Sequence, residues 1–452
     1  MMAILNRRQE LPRDRADLYD QASRVLLYHW DVDHKRLQLP LDAIGRREKQ
    51  EMLRLIAYEM QAGEDGLKGN LISAERLTRI LTDYLINQGF SEPREKASRL
   101  IQQLRERNFI LCYRGADTYG FMHRTFLEYF CAVEIVHRFE KQRTLTFEKL
   151  RDDIFGQHWQ DDTWHESLRL VCGMIEPLLA GKLVEYLMHQ EIERSHFLEQ
   201  KPWGQMRLKS EALCNLLLAA DCMSEINHVI GVIDIRSRLL SALQHEVENW
   251  EMRLSWILCE ELLSRITTYF DDTLPWLKTQ AENNTSSFIQ YTAVMEIAKH
   301  YSFNEETKYW FKDWAKNAED WGAQAAAVEV LDKFYYEDEE TELLPFLMQL
   351  VRDSDDWGVR NIAAKLIRTK FIHSKGVCAF LLNVVASDPF IRIHPEQDNP
   401  RKTALAALLS HYNHESEVLE LLSDRATNDP DPQLREWAQK QLQQMENRGG
   451  SS

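Results

Sequence analysis

His123 carries the most suggestive chemistry in the chain, because it lies where an extended stretch gives way to a helix in Gly120–Val136, GFMHRTFLEYFCAVEIV. An imidazole there sits beside the open N–H groups of a helix start, a combination suited to meeting an anion. The plainer reading is a histidine that caps the helix or satisfies the strand end, and the residues alone leave both open. Glu128 follows five positions later, which on a helix is not a shared face, so the two do not read as an acid–base pair. His411-x-x-His414 with Glu415 could be drawn as a metal site, but no third ligand cluster lies nearby in sequence, and surface histidines at a helix end are the expectation. Ser91–Arg107 carries Arg94, Lys96, Arg99, Arg105 and Arg107, yet Glu92, Glu95 and Glu106 interrupt the basic run and few base-reading side chains accompany it. A solvated or domain-docking face is expected there, and nucleic acid is not. No spacing argues for a Ser–His–Asp or Cys–His catalytic group.

The elements that must position these residues begin with the bulk of the chain. At 452 residues it is too long for one ordinary core, and two to four units, or one unit with a repeat array, are expected. The formal charge of −16 is uneven: residues 1–114 hold 20 Lys and Arg against 17 Asp and Glu, and residues 115–452 hold 35 against 54. An acidic second part does not coat nucleic acid. Seven cysteines without a CxxC pair, mostly among apolar neighbours, point to reduced buried thiols and a cytoplasmic chain. The apolar opening Met1–Leu5 runs into Arg7 and Arg8, too short for a secretory signal, and no apolar run approaches a membrane span.

Ahead of His123 the periodicity is helical. Met1–Leu11 reads as a helix tail closed by Pro12; Asp14 then caps a helix with Leu18, Ala22, Val25 and Leu26 on one face, ending near Trp30. A second helix spans Arg46–Gln61 with Leu53, Ile56, Ala57 and Met60 inward, and Gly63–Gly69 is a turn. Ser73 caps a third helix, closed by Gly89, with Leu77, Ile80, Leu81, Tyr84 and Leu85 on its apolar side; Ser91 and Pro93 open a fourth with Ala97, Leu100, Ile101 and Leu104. Phe109–Arg114 and Tyr119–Met122 are β-prone around Gly115-Ala116-Asp117, which predicts a hairpin. Helices, a two-stranded wing and the helix after His123, in which Phe126, Tyr129, Phe130, Val133 and Val136 form the apolar stripe, make a winged-helix arrangement.

From Trp159 onward only helical patterns are expected. Ala293–Tyr301, Ala327–Tyr335 and Ala363–Phe371 align at offsets of 34 and 36 residues, and Asn399-Pro400-Arg401 and Asp429-Pro430-Asp431 open two similar units. Each unit starts at an acidic or Pro-containing turn and continues as a helix with small residues on its packing face, best seen at Val359, Ile362, Ala363, Leu366 and Ile367. Such a period means helix pairs stacked into a solenoid. Trp310, Trp314, Trp321 and Trp357 are expected to pack within it, a concave aromatic row being the alternative.

Three stretches together resemble the NACHT branch of the STAND nucleotide-switch ATPases, which includes the NOD-like receptors and many bacterial defence proteins. Leu11-Pro12-Arg13-Asp14-Arg15 with Asp17-Leu18-Tyr19 is similar to the LPxxRxxLY segment that follows the ATPase core. Gly120–Ala132 is similar to the FxHxTFxEYFAA signature of the family's winged helix, and Trp159–Gly173 to the tryptophan-containing start of its C-terminal sensor region. The resemblance implies that His123 reaches the phosphates of bound ADP and holds the closed state, and that Phe126, Glu128 and Tyr129 shape and anchor the signature helix without a catalytic part. The chain departs from the family in having no GxxxxGK[ST]; its one Gly-Lys, Gly181-Lys182, is followed by Leu183. Without that cradle, its Lys and the Mg²⁺ ligands it is not expected to act as an enzyme or to hold a cofactor or metal by itself, and ADP or ATP with Mg belongs to an intact NACHT protein.

The implied organisation is a helical segment following an ATPase core at 1–62, a winged helix at 63–145, a helical linker or sensor region at 146–275, HEAT-like repeats at 276–447 and a tail at 448–452. The implied fold is mainly α with a small β-hairpin. The implied function is ligand sensing and regulation in a NACHT/STAND switch, in bacteria an antiphage one. Its partners would be a NACHT ATPase core in cis or trans and a protein ligand on the solenoid, with no membrane. A free-standing HEAT-like protein-binding scaffold without nucleotide dependence is the competing reading.

Overall fold

The carboxylate of Asp14 accepts the N–H of Asp17 at 2.7 Å and starts helix α1, Arg15–Arg24, which continues through a π turn at Val25–His29. In this computed structural model residues 14–29, 44–62, 71–106, 110–200, 206–227, 229–249, 256–302, 304–318, 321–334 and 339–449 are described. The helix tail at Met1–Leu11, the turn at Gly63–Gly69 and the end of the first helix at Trp30 lie outside them. The chain divides into two compact units, residues 1–269 and 270–452.

In the first unit α2, Arg46–Ala62, buries Met52, Leu53, Ile56 and Ala57, while Met60 stays half-buried. Strand β1, Ile72–Ser73, leads into α3, Ala74–Asn87, whose N-terminus is capped where Ser73 Oγ accepts the N–H of Arg76 at 3.2 Å. Gly89, at φ 75°, ends that helix in the left-handed region where glycine carries no Cβ penalty. Helix α4, Pro93–Glu106, buries Ala97, Leu100, Ile101 and Leu104. Strands β2, Leu111–Gly115, and β3, Thr118–Phe121, pair antiparallel with Leu111 opposite Phe121. The wing has a third strand that periodicity did not show: β1 joins it with Ile72 opposite Tyr119. Two residues are too few to display an alternating pattern.

Helix α5, Arg124–Val136, follows, and packs against both α2 and α6, Asp162–Met174. Nine of its thirteen residues are buried, so the stripe read from sequence understates how fully it is enclosed. Helices α7, Pro177–Met188, and α8, Cys214–Ser224, complete the centre of the unit, and α8 is buried almost all round, as its continuous apolar run requires. The expectation of no strand after Trp159 is corrected by β4, Leu198–Gln200, and β5, Met206–Leu208, an antiparallel pair with Leu198 opposite Leu208. Three-residue strands carry too little pattern to be distinguished from a polar link. Helices α9, Ile233–Glu248, and α10, Trp256–Tyr269, pack on α8 and end the unit.

The second unit is a run of helix pairs: α11 and α12 (Leu274–Asn283, Ser287–Tyr301), α13 and α14 (Glu305–Asn317, Trp321–Phe334), α15 and α16 (Leu344–Asp353, Trp357–Lys370), α17 and α18 (Val377–Ser387, Pro400–His411), α19 and α20 (Ser416–Asn428, Pro432–Gly449). Each helix packs on its pair-mate, and α12, α14, α16 and α18 also pack on one another in sequence, forming a layer. Val359, Ala363 and Ile367 of α16 are buried, Ile362 and Leu366 half-buried. Consecutive pairs are tied by buried ion pairs: Arg360 Nε donates to Asp388 at 2.8 Å, and Arg401 Nε to Asp429 at 2.9 Å. Trp310 stacks on Trp314 at 5.4 Å and donates its Nε1–H to Glu282, and Trp357 meets Phe390 edge-on. No described helix is long and apolar enough to cross a membrane.

Candidate functional site

The wing ends at Phe121, whose buried ring fixes β3 against Phe130 of α5 at 6.2 Å. Two residues later His123 is the N-cap of α5, with extended backbone at φ −122° and ψ 127°. Its imidazole makes no capping hydrogen bond and is exposed. Helix starts without a side-chain cap leave N–H groups and the positive end of the helix dipole open to an anion. His123 and the first turn of α5 therefore set an imidazole beside the N–H groups of Arg124 and Thr125, that of Phe126 being bonded to the His123 carbonyl at 3.1 Å, with the Phe126 ring 6.4 Å from the imidazole.

The other residues of the signature face inward. Phe126 is buried between Tyr19 of α1, at 6.5 Å, and Phe130, at 6.4 Å. Tyr129 is buried 5.7 Å from Tyr19, and burial, with the nearby Asp20 carboxylate, raises its phenol. Glu128 is 8% exposed and accepts from Arg124 Nε at 2.7 Å, one helical turn back. Arg124 also donates to the carbonyl of Thr163 at 3.1 Å, reaching α6. His123 and Glu128 thus belong to different environments, one open and one enclosed.

Sequence reasoning missed the charged network behind the signature helix. The Ser167 hydroxyl of α6 donates to the backbone carbonyl of Glu128 at 3.2 Å. On the same helix Glu166 pairs with Arg15 of α1, and Arg169 reaches Glu225, just past α8, at 3.0 Å. Arg15 also donates to Glu225 at 2.7 Å. Burial raises Glu166 above the ordinary carboxylate range despite Arg15 and Arg169. Asp221, one turn earlier on α8, accepts two bonds from Arg265 at 3.1 Å and one from Tyr269 at 3.0 Å, both on α10. Glu166 and Arg169 at i,i+3 are readable as a local pair; partners more than forty positions away are not.

The other sequence-marked groups do not assemble into sites. On α4, Arg99 pairs with Glu95 at 3.3 Å and Arg105 with Glu106, so its cations and anions alternate across the exposed face. His411 lies 5.2 Å from His373 and His414 is 3.5 Å from Glu415, and among the described residues no three His, Cys, Asp or Glu converge as a metal-holding group. None of the seven cysteines is in a disulfide; Cys131, Cys172, Cys222 and Cys259 are buried.

Residues 15–135 match the family of the winged helix-turn-helix domain C-terminal to NACHT, and residues 274–368 match HEAT repeats. No curated protein and no solved structure matches the chain. Both matched domains are non-catalytic types, and together they mark a NACHT-associated regulatory region.

Proposed function

We propose that this chain, which carries a NACHT-associated winged helix and HEAT repeats, couples recognition of a protein ligand to the nucleotide state of a NACHT ATPase core supplied in cis or in trans. The observation that carries the reading is His123: its imidazole stands exposed at the start of the helix, inside the matched domain, and makes no capping hydrogen bond. That corner fits a phosphate, since an imidazole and first-turn N–H groups are both donors to an anion.

The residues of this chain would contribute the sensing contact and the path behind it. His123 would donate to a phosphate of ADP held by the core, favouring a closed state. Glu128, Phe126 and Tyr129 would hold α5 so that the imidazole is presented in one place. Ser167 on the Glu128 carbonyl, and the Arg15, Glu166, Arg169 and Glu225 network, would transmit displacement of the helices beyond. A ligand that binds the open state better shifts the population away from the closed one. In a bacterial setting this logic serves antiphage defence, as the NACHT resemblance implies.

The test is the release rate of fluorescent ADP from a NACHT core combined with this chain. Wild-type chain should slow release, and His123→Ala should restore the rate of the core alone. Equal release with wild-type, His123→Ala and no chain at all would leave the repeats as a scaffold without nucleotide dependence.

A further inference from the structure

The turns between the helices of a repeat are three residues long at 284–286, 354–356 and 429–431, but twelve at 388–399. An arginine on the helix after three of these turns shows where the extra residues went, Gln290 holding that place after 284–286 with a 2.9 Å bond to the Asn284 carbonyl. Arg360 and Arg435 each donate to a turn carbonyl six positions earlier, at Ser354 and Asp429. Arg401 makes the same bond to Asp388, thirteen positions earlier, and still pairs with Asp429. Seven residues, Ile391 to Gln397, are therefore looped out of a turn whose ion-pair ladder is undisturbed.

The loop is tied to the repeat and to itself by hydrogen bonds. Arg392 forms a two-pronged pair with Asp431, 2.8 Å at each prong, and donates to the carbonyls of Pro395 and Gln397. Gln397 Oε1 accepts the N–H groups of Ile393 at 2.7 Å and His394 at 3.0 Å, and Gln433 donates to Pro395 at 3.1 Å. Phe390 is buried and Arg392 half-buried, while Ile391 between them and Ile393 beyond are left outside. Ile391 is 75% exposed and Ile393 76%.

We propose that this loop is a recognition knob whose two isoleucines enter an apolar pocket, rimmed by Lys or Arg, on a partner protein. Apolar side chains carried on a backbone that is already hydrogen-bonded require less ordering on binding, the condition under which a small contact gives useful affinity. Charge selects the occupant. Residues 270–452 hold 30 Asp and Glu against 19 Lys and Arg, and Glu396 at the loop tip is exposed, with no partner among the described residues. A unit with this excess of acid over base disfavours an anionic membrane, and a chain of formal charge −16 repels a second copy of itself. The knob requires no nucleotide link, so it stands apart from the role proposed for His123.

A photo-crosslinking residue at position 391 of the full chain, expressed in its native cells, should give one discrete adduct that the same residue at position 375 does not. The cross-linked protein, purified, should bind the wild-type chain in a salt-sensitive way. Ile391→Ser with Ile393→Ser should weaken that binding at least tenfold, and Glu396→Lys severalfold with a flatter salt dependence, while the thermal midpoint stays unchanged. No adduct, an adduct with the chain itself, flotation of the chain with phosphatidylglycerol vesicles, or equal partner affinity for wild type and the double serine variant would each overturn the proposal.

Discussion

Arg15 and Glu225 are joined by a 2.7 Å hydrogen-bonded ion pair across 210 residues of chain. Glu225 also receives Arg169, so a single carboxylate, 7% exposed on its side chain, neutralises guanidinium groups from α1 and α6. Helix α1 is thereby tied to the helices that follow the signature helix, and a movement of α1 away from them must break this contact.

Glu225→Ala should destabilise the first unit by about 1–3 kcal/mol, because Arg15 and Arg169 are then left to share Glu166 alone, which lies 3.9 Å from Arg169. Urea unfolding of wild type, Glu225→Ala, Arg15→Ala and the double variant measures the coupling. A cycle that closes with additive effects would mean that the pair is not a lock.

The solenoid rests on the same device in a drier setting. Arg401 and Asp429 are almost wholly buried, and Arg401 also satisfies the carbonyls of Asp388 and Phe390. Asp429→Ala should therefore cost about 3–5 kcal/mol, since an unpaired buried guanidinium is left behind. Removing both partners together should cost less than the two single changes added, measured by chemical unfolding of the repeats.

These ladders explain which parts of the fold were legible. Caps such as Asp14 and Ser73, and faces such as Val359, Ala363 and Ile367, are local, within four residues, so spacing alone disclosed them. His123 was legible for the same reason, since it sits between a strand and an apolar helix in one short stretch. Strands β1, β4 and β5 were not, because their stabilising partners lie elsewhere in the chain and two or three residues show no period. The Arg15, Glu166, Arg169 and Glu225 network was hidden in the same way. The long turn at 388–399 is visible in sequence only as a Pro-containing link; the register of Arg401 on Asp388 reveals it as an insertion.

Asp431 sets a pH limit on the last repeats. Burial pushes its carboxyl up, but hydrogen bonds from Arg392 and Asn399 and from the Gln433 N–H outweigh that and bring it down to about 2. A carboxyl lowered in the folded state stabilises once ionised in the unfolded chain, so its contribution is complete above about pH 5 and disappears as pH falls to about 2. Asp431→Asn should lower stability at pH 7 and flatten the acid limb between about pH 5 and 2. A variant whose stability falls with acid as steeply as wild type would assign that limb to other carboxyls.

His123 separates stability from function. Its imidazole caps nothing and is exposed, so His123→Ala should change unfolding free energy by no more than about 0.5 kcal/mol. His123→Ser should stabilise, because serine at this extended N-cap position can accept a first-turn N–H, an arrangement commonly contributing about 1 kcal/mol. Both substitutions remove the imidazole, so both should lose slowed ADP release in the presence of a NACHT core. A helix start that gains stability when its histidine is replaced, yet loses nucleotide retention, marks a residue placed for a ligand and not for the fold. If His123→Ser left stability and ADP release both unchanged, the imidazole would have neither role.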